Sequence, residues 1–329
     1  MRGIATRLTQ FVVVLWLVVT FTFFLIRIIP GDPVSILVPL IKDDPRSQEL
    51  RKHVENDLGL NKPLYQQYFD YLGDVATFDL GEEYGSGKPA TDFLKIALPV
   101  SIQLMIYAQL LALAVAIPLG VLTAYRAGTK LDRRLNATAF GLLAMPNFVL
   151  GILLALVMGV LLGILPVRGY GAGWLDPIFN NRHIDLAKHF KTMILPSITL
   201  AVGQIAIYMR LLRSDMIATL QENFVTMARS KGLSDRRILW RHALRPSSIT
   251  LLTVAGLNVG ALIGGAVVVE VIYGLPGMGY YIQLMLQRKQ MTVLASLILV
   301  LGVGFILVNF AVDVLYRIVD PRIRRGAAR

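Results

Sequence analysis

The sequence contains no cysteine, so thiol nucleophiles, CxxC redox chemistry, cysteine metal sites and disulfides are all excluded. Histidine is scarce too: His53, His183, His189 and His242 are scattered, with no HExxH or comparable metal spacing, and read as solvated loop residues. Charge is low as well. Asp, Glu, Lys and Arg make up 16% of the 329 residues, where about 25% is usual in soluble domains. Hydrophobic residues reach 55%. That balance excludes a disordered chain and favours one polytopic membrane unit over a set of soluble domains.

The few charges are unevenly placed. Residues 8–26, 96–125, 135–167, 192–209, 246–269 and 290–312 carry none. A bilayer core takes about 20 apolar residues as helix, and backbone polar groups inside it must be paired within the segment. The six runs therefore predict an all-α polytopic membrane protein with six transmembrane helices. The first run is unbroken from Leu8 to Ile26 and lacks a small-residue cleavage site, which makes it a retained helix and not a signal peptide. A further run, 271–287, is shorter and interrupted by Gly274, Pro276, Gly277 and Gly279, the pattern of a loop followed by a short interfacial or re-entrant helix. Within the third helix, Met145-Pro146-Asn147 removes a backbone donor and predicts a kink.

Orientation follows from the basic residues. Of 33 Lys and Arg, 19 lie near the two termini and in segments 126–134 and 210–245, against 13 in the alternate connections, with Arg27 at the end of the first run. The positive-inside rule puts both termini in the cytoplasm and residues 30–97 outside. The net charge of +12 is then a membrane signature, and nucleic acid is not implied.

The outer segment has ordinary soluble composition. Its Leu50, Val54, Leu58, Leu64, Tyr65, Tyr68, Phe69 and Leu72 are spaced as in short amphipathic helices lying against the membrane. Gly85-Ser86-Gly87-Lys88-Pro89 looks superficially like a phosphate loop, but Pro89 stands where a magnesium-binding Ser or Thr belongs, so a turn is expected. In the fifth helix Gly256, Gly260 and Gly264 recur every four residues, a stripe that lets helix backbones approach closely, whether inside this chain or at a partner. The polar candidates inside the membrane are Gln103, Gln109, Gln204, Asn258 and Asn309, with Glu270 and Asp313 at helix ends. Gln204 and Asn258 are candidates to line a pathway, the alternative being interhelical hydrogen bonds. Glu270 precedes Pro276, Gly277 and Gly279 and with them is a candidate outer gate, the alternative being a structural ion pair.

Residues 214–246 form the most informative segment. Met216, Leu220, Phe224, Met227 and Ala228 follow 3-4 spacing, which predicts one helix with an apolar face up to Ser230. Gly232 is placed to stop it, and Ser234 to cap a second helix bearing Ile238, Leu239 and Ala243. Two short helices meeting at a glycine corner make a knob on the cytoplasmic face.

This segment resembles the EAA loop of ABC importer permeases, in the branch serving dipeptides, oligopeptides, glutathione and nickel. The matching residues are Glu222, Phe224-Val225, Ala228-Arg229-Ser230-Lys231-Gly232-Leu233 and His242-Ala243-Leu244-Arg245, with Ser230 and Pro246 departing from the usual Ala and Asn. Arg27 to Pro33, Leu58 to Leu64, Leu165-Pro166-Val167, Leu195-Pro196-Ser197, Val269 to Tyr273 with Pro276 to Gly279, and Asp320 to Arg324 extend the likeness along nearly the whole chain. The resemblance implies a type I importer permease of the prokaryotic plasma (inner) membrane. It further implies a second homologous permease, with a heterodimer favoured, two cytoplasmic ATPases that carry the ATP and Mg, and an extracytoplasmic substrate-binding protein. No cofactor or catalytic site is implied on this chain, whose single permease domain spans 1–329. Glu222, Phe224, Ala228, Arg229, Lys231, Gly232 and His242 are then the surface that couples to the ATPase. A secondary transporter or channel subunit is the alternative; a neighbouring chain with GxxxxGK[ST] separates the two.

Overall fold

The computed structural model describes residues 2–28 and 61–319. The sequence features at Ile29 to Leu60, including His53, Leu50, Val54 and Leu58, and those from Asp320 onward lie outside the described residues. Among the described residues every regular element is helical, apart from an isolated bridge between Glu82 and Pro89. In order these are α1 (Arg2–Ile28), α2 (Leu64–Ala76), α3 (Ala90–Tyr125), α4 (Lys130–Ala144), α5 (Asn147–Leu161), α6 (Asp176–Asn180), α7 (Leu186–Leu220), α8 (Asn223–Ser230), α9 (Asp235–Tyr273), α10 (Met278–Gln287) and α11 (Met291–Val319).

Four of them, α3, α7, α9 and α11, are long and apolar enough to cross a membrane; α4 and α5 meet the same test only as a pair bent by 101°. The apolar part of α1 among the described residues is the shorter stretch Phe11–Phe24. The third charge-free run is therefore broken where a kink was expected. Met145, preceding a proline, is held extended (ψ 124°), Pro146 follows (ψ 138°), and the chain re-enters a helix at Asn147. A residue before proline is pushed out of the α region by the ring, and the proline carbonyl then accepts from Val149 and Leu150. The far end of α5 winds as a π-helix from Ala155 to Leu161.

The chain divides into two compact units. The first comprises the described residues of Met1–Leu98 with Pro276–Leu307. Its core joins Ala90, Phe93, Leu94 and Ala97 of α3 to Met278 and Met285 of α10 and Leu294 and Leu297 of α11. The turn before α3 is clasped to the start of α11: the Gln290 amide accepts from the Tyr84 backbone N–H at 2.7 Å and donates to the Tyr84 carbonyl at 3.2 Å, and Ser296 donates to the Leu80 carbonyl. Gly85 and Gly87 lie inside this turn, where the phosphate-loop likeness was set aside.

The second unit comprises Pro99–Leu275 with the described part of Val308–Arg329. One core cluster packs Ala112 and Ala116 of α3 against Tyr208, Leu212 and Met216 of α7 and Ala243, Leu251 and Ala255 of α9. Another joins Leu104, Leu195, Leu200, Leu262, Val269 and Tyr273. Alanine recurring on α3 shortens its side chains on that face and brings the helices together. The helices exceed the charge-free runs that announced them, because charged residues such as Lys188, Lys191, Arg210 and Arg213 continue α7 by a turn or more at each end.

Candidate functional site

The break between α7 and α8 differs from the single helix expected up to Ser230. α7 stops at Leu220, Gln221 stays helical, and Glu222 turns extended (ψ 148°) before α8 begins at Asn223. No glycine or proline marks this break; tertiary packing makes it. α8 turns Val225 and Ala228 onto Ile238, with Leu220 and Leu233 at the margin, in a small core of its own. The apolar face expected from spacing is thereby split. Met216 and Ala228 are buried, whereas Phe224 is 46% and Met227 59% exposed.

Gly232 takes the left-handed conformation (φ +76°), and its N–H donates to the Arg229 carbonyl at 2.9 Å while the Leu233 N–H reaches Ala228. That doubly bonded helix end accommodates glycine best. Ser234 sits at the N-cap position, but its side chain makes no cap hydrogen bond; the second short helix is the start of α9 and continues through a π-helical stretch, Ile238–Ala243, into its long apolar part. Arg229, Lys231 and Glu222 are exposed and His242 half-buried. The expected coupling residues thus lie on one segment with a small core of its own: Val225, Ala228 and Ile238 hold it together and Phe224, Met227, Arg229 and Lys231 are exposed.

Two side-chain bonds tie the ends of this segment. Thr219 Oγ1 meets Ser247 Oγ at 2.9 Å, joining α7 to α9, and Tyr125 at the end of α3 donates to Asp235 at 3.1 Å. Nearby lies a part-buried ion pair that the sequence pattern does not announce. Asp132 in the first turn of α4 accepts from Arg213 Nε and Nη2 of α7, both at 2.7 Å, and also from the Gly128 N–H and the Asn136 amide. Both residues sit beside charge-free runs, and nothing in their spacing pairs them.

Of the pathway candidates, Gln204 and Asn258 are brought together: Asn258 Nδ2 donates to Gln204 Oε1 at 3.1 Å. Beside them Tyr208 donates to Gln109, whose amide donates to the Ala255 carbonyl. Glu270 is fully buried in the second unit, accepting from Ser101 at 2.6 Å. Pro276, Gly277 and Gly279 open α10 in the first unit, Gly277 in extended conformation.

The glycine stripe does not face one neighbour. A Cβ on Gly256 would lie 2.6 Å from Val312, and Gly260 is buried, but at Gly264 nothing lies within 4 Å. A four-residue step overshoots the 3.6-residue turn by about 40°, so eight residues rotate the stripe away from α11.

His189 corrects the reading of histidines as solvated. It is fully buried; Nδ1 lies 2.7 Å from the Gly171 carbonyl and Nε2 3.0 Å from the Tyr107 hydroxyl, which also accepts from Trp174. Next to it the buried Asp176 accepts from Tyr170, Gly173 and Gln103. Gly173 is needed for this closeness, since a Cβ there would sit 2.0 Å from Gln103 Oε1 and 2.5 Å from His189. Gly173→Ala is expected to destabilise the chain by about 1–3 kcal/mol, as overpacking does, seen as a lowered unfolding temperature in detergent. Among the described residues no His, Asp and Glu cluster has metal-site geometry.

Long apolar helices with polar side chains paired between them define an integral membrane protein of the helical-bundle class. Residues 116–325 match the family described as binding-protein-dependent transport system inner membrane component, and residues 1–90 match the N-terminal region of such membrane components. The chain belongs to this family and is a membrane permease component of a transport system. It is 35% identical over 332 residues to the di/tripeptide transport system permease protein DppB of Pseudomonas aeruginosa (strain UCBPP-PA14), covering 98% of each chain. It is 36% identical over 310 residues to the oligopeptide transport system permease protein AppB of Bacillus subtilis (strain 168), covering 92% of each. To the oligopeptide transport system permease protein OppB of Haemophilus influenzae it is 32% identical over 325 residues, covering 98% of this chain and 99% of the other.

Proposed function

We propose that the chain forms half of the membrane pathway of an ATP-driven importer for peptides, delivered by an extracytoplasmic binding protein. In this reading it spans the inner membrane six times, with α1 and the bent α4–α5 pair completing the count, and both termini are cytoplasmic. Residues 30–97 face outward and 214–246 face the cytoplasm. A second homologous permease supplies the other half, and two ATPase subunits bind the ATP and Mg. The names of the relatives support a peptide substrate.

The segment built on α8 is the observation that carries the ATP-driven reading. A short helix that buries two residues on its own small core and displays Phe224 and Met227 beside Arg229 and Lys231 has the form of a docking element. Its ends are anchored on α7 and α9, so a push on α8 moves packed helices as bodies between discrete arrangements. Glu222, Phe224, Ala228, Arg229, Lys231, Gly232 and His242 form the coupling surface in this account, and Gln204, Asn258 and Glu270 lie along or beside the pathway.

Gly232→Pro tests it. Proline cannot adopt φ +76° and lacks the N–H that Gly232 donates to Arg229. The variant is expected to insert normally, and ATP hydrolysis by the assembled complex is expected to continue while uptake into vesicles is lost. Normal uptake would count against the coupling role.

A further inference from the structure

Helix α2 has three distinct sides. At about 100° per residue, Tyr68, Tyr71, Leu72 and Val75 share one side and are half-buried. This side meets α1: the Tyr68 hydroxyl lies 2.7 Å from Thr20 Oγ1, and Phe23 packs edge-on against Tyr68 with ring centres 5.1 Å apart. A second side carries Gln66, Asp70 and Asp74, with Lys62 paired to Asp70 at 2.7 Å. The third is apolar and uncovered, with Tyr65 62% and Phe69 66% exposed. The face expected from spacing to lie on the membrane is therefore narrower, because Tyr68 turns to α1 and Leu72 is half-buried.

Phe78, just past the end of α2, adds an independent observation. It is 82% exposed and left-handed (φ +59°), at a helix end where its N–H reaches Val75 and the Asp79 N–H reaches Asp74. Glycine is the usual residue at such a position; a fully displayed phenylalanine gains nothing there from this chain.

The neighbour of α2 identifies the occupant. α1 displays Val12, Val13, Trp16, Leu17, Phe21 and Phe24 along its apolar stretch Phe11–Phe24, a surface suited to hydrocarbon. α2 attaches at Thr20, Phe23 and Phe24, the last turn of that stretch. Its depth is thus that of the bilayer boundary, where aromatic rings with a polar edge concentrate and where a helix with a wet side and an apolar side lies flat.

We propose that α2 rests in the lipid surface, with Tyr65, Phe69 and Phe78 among headgroups and upper acyl chains and with Asp70 and Asp74 in water. The proposal is independent of what the chain transports. Because the sequence has no cysteine, Tyr65→Cys, Phe69→Cys and Asp74→Cys variants of the full-length chain each carry a spin label at one position without background. In vesicles of phosphatidylethanolamine and phosphatidylglycerol, labels at 65 and 69 are expected to collide more with dissolved oxygen than with a water-soluble nickel chelate, and the label at 74 the reverse. A chelate preference at 65 and 69 matching that at 74 overturns the proposal. So does exclusion of both reagents at 65 and 69, which would show that protein and not lipid covers the face.

Discussion

Asp132→Ala is expected to destabilise the chain by about 1–3 kcal/mol, the range for leaving a donor group in a partly buried site without its partner. The Asp132 side chain is 3% exposed and that of Arg213 27%. Removing the carboxylate leaves the guanidinium without its counter-ion and takes an acceptor from the Gly128 N–H and from the Asn136 amide, which keeps its bond to the Asp132 carbonyl. The loss comes from the orphaned partners more than from the pair's own attraction, so replacing both sides with apolar groups is expected to recover much of it. Denaturation of the wild type, Asp132→Ala, Arg213→Met and the double variant in detergent forms a closed cycle. A coupling energy above about 1 kcal/mol is expected for residues in contact; strict additivity would mean that the pair does not hold α4 to α7.

Adjacent residues of α8 are expected to fail in opposite ways. Val225→Asp places a carboxylate in the small core with Ala228 and Ile238, where Val225 is fully buried. Burying an unpaired charge costs several kcal/mol, enough to detach α8 while the spanning helices keep their packing. Transport in vesicles is expected to fall at least tenfold, with membrane insertion unchanged. Phe224→Ala removes a half-exposed ring and is expected to shift folding stability by no more than about 0.5 kcal/mol. On the coupling account it nevertheless weakens co-purification with the ATPase and lowers uptake. Full uptake by Phe224→Ala, with normal ATPase recovery, would remove the displayed face of α8 from the mechanism.

Long-range order in the apolar runs was readable from the sequence because a charge-free run of helix length has few alternatives in a bilayer. Chain breaks were readable where one residue enforces them: Pro146 through its ring and Gly232 through its φ. The break at Gln221 and Glu222 was not, since both residues are compatible with helix and only the packing of Val225 and Ala228 on Ile238 turns the chain there. The same holds for His189. Nothing local distinguishes a histidine at a loop edge from one buried under it; the difference lies in Gly171 and Tyr107, which arrive from elsewhere in the chain. Asp132 and Arg213 were hidden for a related reason, as residues flanking charge-free runs look like membrane-edge charges facing water.

The π-helical stretch Ile238–Ala243 at the head of α9 has a further consequence. Its i→i+5 winding accommodates an additional residue without breaking the rod. Its first residue, Ile238, closes the small core under α8, and beyond it Leu251 and Ala255 belong to the large core with α3 and α7. Rewinding the stretch as a plain α-helix with the same number of residues would rotate everything before it by about 100° against everything after it, whereas rewinding with one residue deleted would leave the two ends in register. Winding and residue count together keep the two cores in phase.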